Sequence, residues 1–147
     1  MKRILVAVDR SEPSLRAVDL AADVAGKYGA SLLLVTAIRD VGRPDPGVEA
    51  YVRIEHIKDP PIALEIEGVR NELSAVRDRA LAKGARDVSV DVVIGDAAEQ
   101  ILANAKDSQA DLIVMGSRGH GRLAGLLLGS VAQKVVGLAP CPVLVVH

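Results

Sequence analysis

Asp111-Leu112-Ile113-Val114-Met115-Gly116-Ser117-Arg118-Gly119 runs, by way of Gly121 and Gly125, into Gly129-Ser130-Val131. Leu112 to Met115 is an apolar run of strand length, and a helix from Ser130 to about Gly137 closes the stretch. The segment from Gly116 to Ser130 between them holds five of the thirteen glycines, so it reads as a loop. A phosphate needs backbone N–H groups brought close with no Cβ in the way. It also gains from the positive end of a helix. Gly129-Ser130 supplies both conditions, and the Ser130 hydroxyl adds a donor. The same glycines also suit a plain turn. Neither a Gly-Lys-Ser/Thr nor a G-x-G-x-x-G spacing is present, so this is neither a Walker loop nor a dinucleotide fingerprint.

The rest of the chain repeats the strand-then-helix unit. Ile4 to Val8 is a continuous apolar run, followed by Ser11 as a helix N-cap and Pro13 in a first turn. Ala17, Leu20, Ala21, Val24 and Tyr28 recur at helical spacing until Gly29. Leu32 to Ile38 is a second strand. Arg39 to Pro61 has four of the seven prolines and no period, which predicts a long connection and the least ordered part of the chain. Ile62, Ile66, Val69, Leu73, Val76 and Ala80 mark a long amphipathic helix ending near Gly84. Val88 to Ile94 is a third strand. Asp96 caps a helix carrying Ala98, Ile101, Leu102 and Ala105. Leu112 to Met115 is the fourth strand and Val143 to Val146 the fifth. Strands alternating with helices predict an α/β fold: one domain over residues 1–147, with an open, parallel, Rossmann-like sheet covered by helices on both faces. Ligands of such sheets sit beyond the strands' C-terminal ends, where strand order reverses.

Composition narrows the function. Formal net charge is -1, and no basic run or aromatic platform asks for nucleic acid. A lone Cys141 gives no disulfide framework, and packing is the expected role between Pro140 and Pro142. The first apolar run is too short for a signal segment or a membrane span, so a cytoplasmic protein away from membranes is expected. His56, His120 and His147 lack metal-site spacing, and no nucleophile–base pair or carboxylate dyad appears. His120 reads as a solvated loop residue, Asp111 as structural, and Gly95-Asp96 as a turn. No catalytic residue and no protein metal site is assigned.

The spacing of Gly116, Gly119 and Gly129-Ser130 fits the G-2x-G-9x-G-(S/T) pattern, and the chain resembles the ATP-binding branch of the universal stress protein family. The likeness continues through Ile4-Leu5-Val6-Ala7-Val8-Asp9-Arg10-Ser11-Glu12-Pro13-Ser14, where Arg10 stands in place of the usual Gly. It includes Val93 to Ile101, Asp111 to Gly119, and Cys141 to Val146, and spans nearly everything except residues 39 to 61. The resemblance implies a five-stranded sheet of order 3-2-1-4-5. It implies that Asp9 contacts the ribose and that Ala7 and Val8 line the base pocket. Ala37 would offer backbone contacts to adenine, and Met115 would pack by the nucleotide. Gly116, Gly119, Gly129 and Ser130 would bind the phosphates, with a backbone N–H from Val131. ATP is the implied cofactor, with Mg2+ or Mn2+ as companion cation, and Val143 to Val146 the implied homodimer edge. Three functions follow for comparison: a dimeric nucleotide-dependent regulator, a slow ATPase or nucleotidyl transferase using Arg118, His120 and Arg122, and an interaction module with no ligand.

Overall fold

Strand β1 (Arg3–Ala7) is the centre of the sheet because both its faces are apolar: Ile4, Leu5 and Val6 are fully buried. The computed structural model describes residues 1–39, 60–119 and 127–147. Strand β2 (Ser31–Ile38) lies on one side of β1 and β4 (Leu112–Gly116) on the other. Strand β3 (Val88–Ile94) pairs with β2, and β5 (Val143–Val146) with β4. Every pair is parallel, and the order is β3-β2-β1-β4-β5. This is the order expected from the resemblance. The chain builds outward from β1 in one direction, then returns to β1's other side, so order reverses between β1 and β4.

Alternation along the strands builds two apolar layers. Ile4, Val6, Val8, Leu32, Leu34 and Val114 face helices α1 (Glu12–Tyr28) and α2 (Pro60–Ala82). Leu5, Val35, Ile113 and Met115 face α3 (Ala97–Asp107) and α4 (Ser130–Leu138). Small residues let α1 lie close to the sheet: Ser14, Ala17, Val18, Ala21, Ala22 and Ala25 are its buried stripe. The expected stripe was displaced at two positions, since Leu20 and Tyr28 are exposed. Chain-local signals set the helix ends. Ser11 caps α1, accepting from the Ser14 N–H, and Gly29 closes it with φ 68. Asp96 caps α3, accepting from the Glu99 N–H. Its carboxyl is held below the ordinary value by that backbone hydrogen bond and by Lys134. Helix α2 starts at Pro60, two residues before the first periodic apolar position, because proline is tolerated in a first turn. The rest of the proline-rich connection, residues 40–59, lies outside the described residues. No helix among those described is long and apolar enough to cross a membrane.

Asp19 on α1 joins Arg79 on α2 by two hydrogen bonds, 2.6 Å from Nε and 2.7 Å from Nη2. The Arg79 guanidinium holds the Asp19 carboxyl below its ordinary value of 3.8. The group's pKa is depressed on folding, so its stabilisation is present above 3.8 and is lost as pH falls through the folded value. Asp19→Asn should cost about 0.5–1 kcal/mol at pH 7, a figure discounted for the pair's partial exposure. Urea unfolding across pH should show the deficit shrinking below 3.8.

Candidate functional site

Ala7 and Met115 are register partners at the exits of β1 and β4, so two of the sequence candidates meet at the reversal point. Met115 is buried and Ala7 half-buried. Val8 continues β1 by one contact, its N–H donating to the Val35 carbonyl at 2.9 Å. The Val8 carbonyl accepts from the Thr36 hydroxyl at 2.8 Å. Val35 therefore faces β1, whereas the Ile38 carbonyl accepts from Gly95 on the β3 side at 2.9 Å. Successive strand residues alternate sides. Ala37 thus turns its N–H and carbonyl towards β1's side, at a level where β1 has already ended.

The loop after β1 folds back on Asp9. Oδ1 of Asp9 accepts from the Ser11 N–H at 3.0 Å and from the Ser11 hydroxyl. The Asp9 N–H donates to the Ser14 hydroxyl at 3.3 Å. Ser11 is thereby both the cap of α1 and a support for the Asp9 carboxylate, a role that the cap motif alone did not reveal. Arg10 has φ 68, in the left-handed region. This explains why glycine suits the position: a side chain there costs about 1–2 kcal/mol. The Arg10 side chain reaches Glu72 on α2 through Nη1 alone, at 2.9 and 3.2 Å. The pair is largely exposed, 62% and 49%, and such pairs return about 0.2–1 kcal/mol.

The glycines after β4 have distinct physical reasons. A Cβ on Gly116 would lie 2.8 Å from the Ser14 backbone nitrogen and 3.0 Å from Pro13, so the start of α1 packs directly on β4's end. A Cβ on Gly119 would lie 2.6 Å from Oδ2 of Asp9. Gly129 sits within 3.9 Å of Gly119 by the same measure, with only ordinary contacts. Asp9, Gly119 and Gly129 therefore form one continuous contact across the crevice. The Gly129 N–H is already given to the Ser117 carbonyl at 2.7 Å. What the start of α4 offers is therefore the Ser130 and Val131 N–H groups and the exposed Ser130 hydroxyl, since no side chain caps this helix. Arg118 is exposed; His120, Arg122 and His56 lie outside the described residues.

A cavity of about 210 Å³ adjoins this crevice. Val8 and Ala37 line it, together with Thr36, Val69, Leu73 and Val76, and Arg10 and Glu72 stand beside them. The α2 residues and Arg10 were missed in the sequence. Only Arg10 carried a signal, as the departure from the family pattern. Cys141 is half-buried, and burial pushes its thiol above the ordinary value, consistent with packing. Asp111 accepts from the Lys2 and Arg3 N–H groups at 2.6 and 2.9 Å, a structural role.

An open parallel sheet with a crevice at its reversal point, floored by backbone groups and an uncapped helix start, defines the Rossmann-like α/β class. The family model described as "Universal stress protein family" matches residues 1–147. A universal stress protein of Thermus aquaticus, named for the QAH/OAS sulfhydrylase 3' region, is 38% identical, covering 99% of this chain and 98% of its own. The universal stress protein UspA from Lactobacillus plantarum superposes with TM-score 0.82 at 23% identity, covering 99% and 97%. A universal stress protein crystallised in complex with cAMP is 32% identical, with TM-score 0.69 and coverage of 99% and 96%. The chain belongs to the universal stress protein family.

The glycine geometry makes a graded prediction. Gly116→Ala should destabilise by about 1–3 kcal/mol, because two backbone segments must part. Gly129→Ala should fall within about 0.5 kcal/mol of neutral. Denaturant midpoints at constant m-value check the order; equal costs at the two positions would remove the close-packing account.

Proposed function

We propose that this chain is an ATP-binding regulator, one nucleotide-binding unit acting as a cytoplasmic homodimer. The observation that carries it is the convergence of Asp9, Gly119 and the uncapped start of α4 at the β1–β4 reversal, beside a cavity lined by Val8 and Ala37. In this reading Asp9 contacts the ribose, Ala7 and Val8 line the base pocket, and Met115 packs by the nucleotide. The Ala37 backbone meets the adenine edge. Ser130 and Val131 donate to the phosphates, and Gly116, Gly119 and Gly129 keep the path clear of side chains. The complex of a 32% identical relative with cAMP supports a nucleotide as ligand class. Among the described residues no group of three His, Cys, Asp or Glu side chains could hold a metal ion. Mg2+ or Mn2+ would then be held chiefly by the phosphates of ATP.

The residues reaching the crevice bind and orient; a water-positioning side chain, needed for fast phosphoryl transfer, is not among the roles assigned to them. The regulatory reading is preferred over the slow ATPase or nucleotidyl transferase for that reason. The dimer edge is β5: all four of its residues are only half-buried, and Leu127, Val136 and Leu138 nearby in the chain are exposed. Apolar sheet edges of this kind are normally covered.

Calorimetry with ATP and Mg2+ or Mn2+ should show saturable binding, and Ser130→Ala with Val131→Pro should weaken it about ten-fold or more, since two donors, the Ser130 hydroxyl and the Val131 N–H, are lost. Absence of binding to the unmodified protein would refute the reading. Sedimentation at micromolar concentration should give a dimer, and Val145→Lys should give a monomer.

A further inference from the structure

The cavity beside the crevice has a buried apolar floor and a charged rim. Val8, Ile38 and Leu73 are buried, Val69 and Val76 half-buried, and Arg10 and Glu72 exposed. Its volume of about 210 Å³ is below the usual range of about 300–1,000 Å³ for a site that encloses a whole ligand. It has room for one flat ring system, with the rest of the ligand lying outside along the crevice.

Arg10 is the residue at this rim that stability does not explain. Its backbone sits at φ 68, where glycine is favoured. Its ion pair is exposed and made through a single nitrogen. The Arg79–Asp19 pair, by contrast, uses two nitrogens on two oxygens. The contact with Glu72 is too weak to repay the backbone strain. Strain kept beside a cavity without a stabilising return is the pattern of a functional position. A guanidinium is flat and cationic, and it lies face to face on aromatic rings and nucleobases. Glu72, one helical turn from both Val69 and Val76, is placed to hold that plane at the cavity's mouth.

We propose that Arg10 is a specificity-determining residue of the nucleotide site, its guanidinium closing over the face of a heteroaromatic base seated on Val8, Leu73 and Val76, with Glu72 as its anchor. The inference rests on the nucleotide reading and deepens it. It assigns the cavity to the base, so Arg10 acts on nucleosides whatever their phosphate count.

The test is calorimetry on the full chain with ATP, AMP and adenosine, alongside thermal melting. Arg10→Gly should melt no earlier than the unmodified protein and bind all three ligands about ten-fold more weakly. Arg10→Lys keeps the charge and the Glu72 partner but loses the plane, and should weaken all three about five-fold. Unchanged binding by Arg10→Lys would overturn the stacking role. A loss by Arg10→Gly confined to ATP and AMP would assign the residue to phosphate and overturn the inference as well. If the unmodified protein binds none of the three, the nucleotide reading falls and takes this with it. If it binds and Arg10→Gly binds equally, only this inference falls.

Discussion

The end of β4 touches the start of α1 with no room for a β-carbon, and the shape of the crevice follows from that contact. Gly116 brings β4 against the backbone of Pro13 and Ser14. The loop between β1 and α1 must then turn within a few residues, and it does so through the left-handed Arg10. That turn returns Ser11 to the Asp9 carboxylate. Asp9 in turn sets the identity of Gly119, whose missing side chain makes way for Oδ2. The steps are joined by close packing at Gly116 and Gly119 and by hydrogen bonds at Asp9. A single added methyl at Gly116 therefore acts on the whole exit, well beyond its own position.

Stability and site geometry are carried by different parts of the molecule. The two apolar layers bury Ile4, Leu5, Val6, Leu34, Ile113 and Val114 completely, and burial of this kind is the dominant favourable term in folding. The polar contacts around Asp9 are part-buried; the neutral one to Ser14 contributes about 1 kcal/mol, and those on the carboxylate about 1.5–3 kcal/mol each. Their effect is positional: they fix where a carboxylate and a turn sit at the end of a rigid strand. A rigid sheet beneath a small polar cluster is how an α/β fold holds a site without deforming its core.

The layer architecture was legible because its signals are local and redundant. Apolar runs marked the strands, and Ser11, Asp96 and Gly29 marked helix ends by side-chain or φ requirements that the backbone obeys. Pattern alone left the sheet order open; the family likeness supplied it, because order depends on contacts between distant segments. The buried stripe of α1 was missed at Leu20 and Tyr28, since a stripe of Ala and Ser has little apolar contrast. Site residues on the strand exits could be named from motif spacing. Glu72, Val69 and Leu73 could not, because nothing in α2 shows which part of it crosses the end of β2. The Gly129 N–H was expected to be available to a ligand, yet it bonds to Ser117, a pairing between residues twelve apart that spacing does not reveal.

The two ends of the sheet differ in how their polar groups are satisfied. At the strands' N-terminal ends, Asp111 takes the Lys2 and Arg3 N–H groups, Ser31 donates to Lys2, Leu32 to Asp87, and Asp111 to Arg3. Those contacts tie strand starts to one another and leave that end closed. At the C-terminal ends the groups turn outward. Ala37 presents its backbone past the end of β1, α4 begins without a side-chain cap, and Arg10 holds a conformation that costs free energy. Backbone groups left in such a state are normally satisfied by water or by a bound molecule. Strain and glycine crowding occur at the other end too, where Gln109 has φ 54 and a Cβ on Gly26 would lie 2.7 Å from the Gly84 carbonyl oxygen; beyond β1 and β4 they stand beside backbone groups left open, at the point where strand order reverses.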